Sequence, residues 1–268
     1  MIPAAFEYIR PSSLDEAVQA LADGGEDAKV IAGGQSLLPL LRLRLAYPDL
    51  LVDLGHLDGL RGVRDDGDTL WIGALTTHAE VIRDPLIREH RGLLSEATGT
   101  VADPAGDLPA VAVALGATMI ARGPGGDREI GATDFFVDYL TTALAPGEVL
   151  TGVRVPKLGP AWGYRYEKFH RTAQAWATVG VAAIARRSNG HVAEARIGLT
   201  NMGPVPVRAR AAEEAAAGAV ADRSALRAAA AHADEDTQPP ADLHGAPDYR
   251  RHLARVLTAR ALAVAAGA

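Results

Sequence analysis

The chain has 268 residues, 48% hydrophobic and 22% charged, with a formal net charge of −6; that suffices for one large or two modest packed domains and excludes global disorder. An acidic balance without a long basic run argues against a nucleic-acid surface and against electrostatic attachment to anionic lipid. Cysteine is absent, so the chain itself holds no disulfide, thiolate-bound iron–sulfur cluster or cysteine nucleophile.

Ser13-Leu14-Asp15-Glu16 is a capping-box pattern, and Leu14, Val18 and Leu21 follow at helical spacing until Gly24-Gly25. Lys29-Val30-Ile31 reads as a strand. Leu37-Leu38-Pro39-Leu40-Leu41-Arg42-Leu43 reads as a helix with proline in its first turn. Between them stand Ala32, Gly33, Gly34, Gln35 and Ser36. Two glycines at a strand-to-helix junction allow close approach of a ligand, and Ser36 is placed to cap a helix whose free N–H groups favour an anion such as phosphate. A tight βα turn with a serine cap and no ligand explains the same residues equally well. With Leu50-Leu51-Val52-Asp53-Leu54 as another strand, the opening reads helix, strand, helix, strand.

Residues 60–64 and 69–72 flank Asp65-Asp66-Gly67-Asp68 as a hairpin. Thr76 or Thr77 caps a helix through Ala79, Val81 and Ile82, another begins at Leu93, and a short one over 109–115 has Asp107 in its approach. Residues 117–122 and 128–130 bracket a glycine-rich β-turn, a short helix opens at Thr133, and a strand over 148–155 is ended by Pro156. Beyond a linker at 157–160, residues 164–169 alternate in polarity as a strand, and residues 178–186 and 192–200 read as two more strands, joined by Asn189-Gly190. Alanine-rich helices over 209–217, 224–233 and 249–266 follow. The expected second domain is a three-stranded antiparallel sheet covered by helices.

None of the eight histidines stands at metal-ligand spacing with another, and no G-x-S-x-G elbow exists. No run of about 18 apolar residues exists for a membrane span, and the opening Met1-Ile2-Pro3-Ala4 is not a signal peptide, so a cytoplasmic location is expected. The residues by themselves predict a two-domain α/β protein with a glycine junction suited to a phosphate-bearing ligand.

A wider pattern adds to this. Residues 32–39, Arg42-Leu43-Arg44-Leu45, Leu51-Val52-Asp53-Leu54, Asp107-Leu108-Pro109-Ala110-Val111, Tyr166-Glu167-Lys168-Phe169-His170-Arg171 and Ile197-Gly198-Leu199-Thr200-Asn201-Met202-Gly203 occur in order along nearly the whole chain. They resemble the FAD-binding medium subunit of molybdenum hydroxylases, the family of carbon monoxide dehydrogenase and xanthine dehydrogenase. The resemblance implies an α+β fold: an FAD-binding domain of the vanillyl-alcohol-oxidase (PCMH) type made of two α/β subdomains, residues 1–156, then a C-terminal domain, residues 161–268. It implies that Ala32, Gly33, Gly34, Gln35, Ser36 and Leu37 wrap the FAD pyrophosphate. Asp107 would be an FAD contact, Leu150 would pack near the flavin and Lys168 would stand by the isoalloxazine. It further implies partners: a small subunit carrying [2Fe-2S] clusters and a large subunit carrying the molybdenum cofactor, with no catalytic side chain or metal ligand in this chain.

The chain departs from the family pattern at one place. Members carry a second glycine loop, T-x-G-G-[NS], before the Asp-Leu-Pro helix, whereas here Thr98-Gly99-Thr100-Val101-Ala102-Asp103-Pro104-Ala105-Gly106-Asp107 runs directly across. At about 1.5–3 kcal/mol for each hydrogen bond to a charged group, loss of several donors weakens FAD retention by orders of magnitude. Three functions are therefore open: a flavin subunit passing electrons from the iron–sulfur clusters through FAD to an external acceptor, a flavin-poor scaffold or assembly subunit, and a stand-alone flavoprotein. A smaller departure is Ala173-Gln174-Ala175-Trp176, where members often place an aspartate before the aromatic.

Overall fold

The computed structural model describes residues 2–90, 92–101, 106–172 and 175–268. Its first layer is a small parallel sheet. Strand β1 (Glu7–Ile9) leads to helix α1 (Leu14–Gly24), then β2 (Ala28–Ile31), α2 (Leu37–Leu43) and β3 (Leu50–Asp53), with sheet order β1-β3-β2. Ser13 caps α1 as predicted, its side chain accepting from the Glu16 N–H, while the Glu16 carboxylate reaches back to Ser12. Ala17, Val18 and Leu21 bury the inner face of α1 against Val52 and Leu54. Strand β1 has no sequence counterpart in the reading above, because three residues with mostly exposed side chains carry no periodic signal.

The second layer is antiparallel. Hairpin β4 (Val63–Asp66) and β5 (Thr69–Gly73) precedes helices α3 (His78–Arg83), α4 (Pro85–His90), α5 (Gly92–Thr100) and α6 (Leu108–Leu115). Hairpin β6 (Thr118–Gly123) and β7 (Gly126–Gly131), helix α7 (Ala132–Phe135), the small ribbon β8 (Phe136–Asp138) and β9 (Thr141–Thr142), and β10 (Val149–Pro156) complete it. Strand β10 inserts between the two hairpins, giving order β4-β5-β10-β6-β7. Of the two threonines offered as caps, Thr77 serves, and it makes a full capping box with Glu80.

The third layer is the sheet β11 (Trp162–Phe169), β12 (Val179–Ser188), β13 (His191–Thr200) and β14 (Val207–Arg208), followed by α8 (Arg210–Ala216), α9 (Arg223–Ala230) and α10 (Pro247–Ala265). The expected three strands are four, the two-residue β14 pairing with β13 at Leu199 and Gly198. Asn189 and Gly190 both take positive φ, 52° and 78°, as a two-residue hairpin between twisted strands requires. Helices cover one face of this sheet as expected, but the other face is not solvated. Val179, Val181, Ala183 and Ala185 of β12 face the C-terminal helices, whereas Ala182 and Ile184 join Leu93, Ala97, Val111 and Leu115 of α5 and α6 in one core. A strand buried on both faces reads as a continuous apolar run, as β12 does. Strand β13 meets α6 without an intervening side chain, because a Cβ on Gly198 would lie inside the Ala110 carbonyl. Among the described residues no helix is long and apolar enough to cross a membrane, and no group of three or more His, Cys, Asp or Glu side chains is arranged to hold a metal.

Candidate functional site

The glycine junction lies at the carboxyl ends of the parallel strands, where ligands of open parallel sheets bind. Gly34 has φ +77°, a conformation that favours glycine, and a Cβ there would meet the Leu38 Cδ1 at 2.7 Å. A Cβ on Gly33 would meet nothing within 4 Å, so open space borders the turn. The Leu38 N–H returns to the Gly34 carbonyl at 2.9 Å. Among the described residues, the N–H groups of Gly33, Gly34, Gln35 and Ser36 have no hydrogen-bond partner. Four consecutive free donors beside open space suit an anionic ligand. Ser36 departs from the expected capping role. Its backbone is already helical, φ −93° and ψ −46°, and its side chain makes no capping bond; a cap needs extended backbone to aim its oxygen at the helix N–H groups. The hydroxyl is thereby left for other use. Behind the turn, Gly55 packs against the Ala32 carbonyl, and Asp53 accepts from the Gly55 N–H at 2.7 Å and from the Tyr8 hydroxyl.

The second cluster joins residues far apart in sequence. Asp107 stands where a cap of α6 would be, yet makes no capping bond and is 2% exposed. Its two carboxylate oxygens accept from the Tyr166 hydroxyl and the Lys168 ammonium, each at 2.6 Å. Lys168 also donates to the Thr100 carbonyl at 3.1 Å. Tyr166 and Lys168 lie two apart on β11 and so point to the same face. Gly180 on the neighbouring strand makes room for them, since a Cβ there would sit 2.5 Å from the Tyr166 hydroxyl. Burial, then the Asp107 carboxylate, push the Tyr166 phenol well above its ordinary range, so it is a neutral donor. The Thr200 hydroxyl donates to the Gly106 carbonyl, tying the Asp107 approach to β13.

The structure thus brings Asp107 and Lys168 into contact, with the Ala32, Gly33, Gly34, Gln35, Ser36 and Leu37 turn as a separate wall. Leu150 is half-buried on β10, packed against the core that contains Tyr166. Tyr166 was missed as a site residue by sequence reasoning, although its two-residue spacing from Lys168 in an alternating strand was a usable signal. Thr98-Gly99-Thr100 forms the last turn of α5, and both hydroxyls donate back to helix carbonyls, Leu94 at 2.6 Å and Ala97 at 2.8 Å. These hydroxyl protons are therefore not donors for a ligand. The rest of the expected deletion point, residues 102–105, and residues 173–174 of the smaller departure lie outside the described residues.

A family profile described as the FAD binding domain in molybdopterin dehydrogenase matches residues 4–158, and the CO dehydrogenase flavoprotein C-terminal domain matches residues 164–265. The chain is 37% identical over 279 residues to the carbon monoxide dehydrogenase medium chain of Hydrogenophaga pseudoflava, covering 98% of this chain and 97% of the relative. It is 39% identical over 279 residues, with the same coverage, to the carbon monoxide dehydrogenase medium chain of Afipia carboxidovorans. Both alignments span more positions than the 268 residues present here, so these relatives carry residues without a counterpart in this chain. A solved structure of the H. pseudoflava carbon monoxide dehydrogenase that lacks the Mo-pyranopterin moiety superposes with a TM-score of 0.94 at 39% identity, covering 99% of this chain and 98% of that one. The chain belongs to the FAD-binding medium subunits of the molybdenum hydroxylase family.

Proposed function

We propose that the chain is the flavin subunit of a cytoplasmic molybdenum hydroxylase, receiving electrons from the iron–sulfur clusters of a small partner and delivering them to an external acceptor. FAD, when bound, would supply the redox chemistry that collects single electrons from the clusters and passes them on to the acceptor, while substrate oxidation belongs to molybdenum in a large partner. Residues 1–156 form the FAD-binding unit and residues 161–268 the C-terminal one. The observation that carries this reading is the row of four free N–H groups at Gly33, Gly34, Gln35 and Ser36 beside open space at the ends of β2 and β3. That row holds the pyrophosphate, with the Ser36 hydroxyl and the Leu37 N–H beside it; preorganised N–H donors compensate phosphate charge without a cation. Lys168, fixed by Asp107, brings positive charge to the flavin end, and Leu150 offers it an apolar contact.

The shortened loop favours one second reading, a scaffold subunit that keeps the fold without retaining flavin. Visible absorption decides between them. The purified full chain incubated with FAD and desalted should show about one bound flavin per chain. A chain that stays colourless overturns the flavin-subunit reading in favour of the scaffold.

A further inference from the structure

Strand β1 has no part in the site described above, yet its residues hold the frame of the glycine turn. The loop after β3, residues 54–57, runs behind that turn. Asp53 pairs in register with Ile31, the last residue before Ala32, and the Leu54 N–H donates to the Ile31 carbonyl at 2.9 Å. Gly55 lies between Asp53 and the turn. A Cβ on it would stand 3.0 Å from the Asp53 Oδ1 and 3.4 Å from the Ala32 carbonyl oxygen.

Gly55 is pinned at both of its backbone groups. Its N–H donates to the Asp53 Oδ1 at 2.7 Å, and its carbonyl accepts from Arg61 at 2.8 Å. The other carboxylate oxygen of Asp53 accepts from the Tyr8 hydroxyl of β1. Just beyond β1, the Pro11 carbonyl accepts from the His56 Nε2 at 2.7 Å and ties down the next residue of the loop. Tyr8 is 53% exposed, so burial of its ring does not by itself explain its place, whereas the bond to Asp53 does. A carboxylate this near to an anion site opposes a phosphate unless donors take up its charge. Here two donors do, one on each oxygen. The side chain is a brace with one arm on the edge strand and one on the loop behind Ala32.

We propose that Asp53, held by Tyr8, is a positioning residue for the FAD pyrophosphate: through Gly55 and the Ala32 carbonyl it sets the direction of the N–H row at Gly33 to Ser36. This inference rests on the flavin-subunit reading for the identity of the anion. In this role the charge is dispensable and the two hydrogen-bonding atoms are not. Asp53→Asn keeps an acceptor for Gly55 and offers an N–H to the Tyr8 hydroxyl, which turns from donor to acceptor. Asp53→Ala removes both arms. Gly55→Ala keeps every hydrogen bond and adds no left-handed strain, but its methyl crowds both the brace and the turn.

The test is fluorescence titration of the full chain with FAD, beside amide NMR spectra of the isotope-labelled free chain in which the Gly33 and Gly34 signals are followed. Asp53→Ala and Gly55→Ala should each weaken FAD about tenfold or more and move both glycine signals. Asp53→Asn should stay within about threefold of the parent. Val18→Ala, a core substitution in the same layer, should also stay within about threefold although it lowers the melting point. Equal losses in Asp53→Ala and Asp53→Asn would assign the effect to charge and overturn the proposal. Unchanged affinity in Asp53→Ala and Gly55→Ala, or a loss in Val18→Ala as large as theirs, would overturn it as well. If Asp53→Ala does not fold, Gly55→Ala set against Asp53→Asn makes the same comparison. Glycine signals that move in a parent chain unable to take up FAD would support the brace while refuting the flavin reading; signals that stay put in such a chain would refute both.

Discussion

The 32–36 junction and the Asp107 cluster use their hydrogen-bonding groups in opposite ways. At the junction four N–H donors and a serine hydroxyl stand without partners among the described residues. In the cluster, Asp107 and Lys168 are nearly completely buried and are satisfied by each other, by Tyr166 and by the Thr100 carbonyl. Free donors at a surface turn cost little, because water replaces a ligand there, whereas a buried charge tolerates no vacancy. The junction is therefore expected to affect ligand affinity with little effect on stability, and the cluster to affect both.

Substitutions can break this contrast, starting with the largest effect. Lys168→Met leaves a buried carboxylate with one neutral donor; breaking such a pair costs about 3–5 kcal/mol, and thermal melting should fall by about 10 °C. Restoring neutrality with Asp107→Asn in the same chain should recover part of that loss. If the single substitution melts like the parent, the pair is not the buried unit described above.

Tyr166→Phe removes a charge-assisted hydrogen bond and should cost about 1.5–3 kcal/mol at neutral pH. The same residue sets an alkaline limb. Because its folded pKa is raised above the ordinary 10.0, the stability linked to the protonated phenol is complete below pH 10 and is lost as pH climbs toward the raised value. Denaturant melts from pH 9 to 11 should decline less steeply in Tyr166→Phe than in the parent chain, and equal slopes would refute the linkage.

Gly34→Val imposes left-handed strain worth about 1–3 kcal/mol and crowds Leu38, so the melt stays cooperative while FAD uptake is abolished. Unchanged flavin content would remove the junction from the site. The smallest stability effect belongs to Ser36→Ala. Its hydroxyl caps nothing, so stability should stay within about 0.5 kcal/mol of the parent, while FAD affinity drops roughly tenfold. A loss near 1 kcal/mol in stability would mean that the serine caps α2 after all.

What could be read in advance follows the same division. The junction was legible because its residues are consecutive and its glycines have a local reason to be there. Hairpins at Gly67 and at Asn189-Gly190 were legible for the same cause, turn chemistry being a property of a few neighbours. The contact of Asp107 with Tyr166 spans 59 positions and depends on how β11 lies across α6, which no local pattern encodes. The insertion of β10 between two hairpins and the two-residue β14 escaped for that reason too. Ser36 misled in the other direction, since a residue type favoured at caps says nothing of the backbone angle it will take.

The close meeting of Gly198 with the Ala110 carbonyl has a consequence for how a ligand is gripped. Asp107 stands at the start of α6 and Lys168 on the sheet that α6 is pressed against, so the pair spans a seam whose tightest point is Gly198 against the Ala110 carbonyl. Hinged enzymes gain affinity by closing on what they bind. Here the seam has no such travel. The spacing between Asp107 and Lys168 is therefore set when the chain folds rather than when a cofactor arrives.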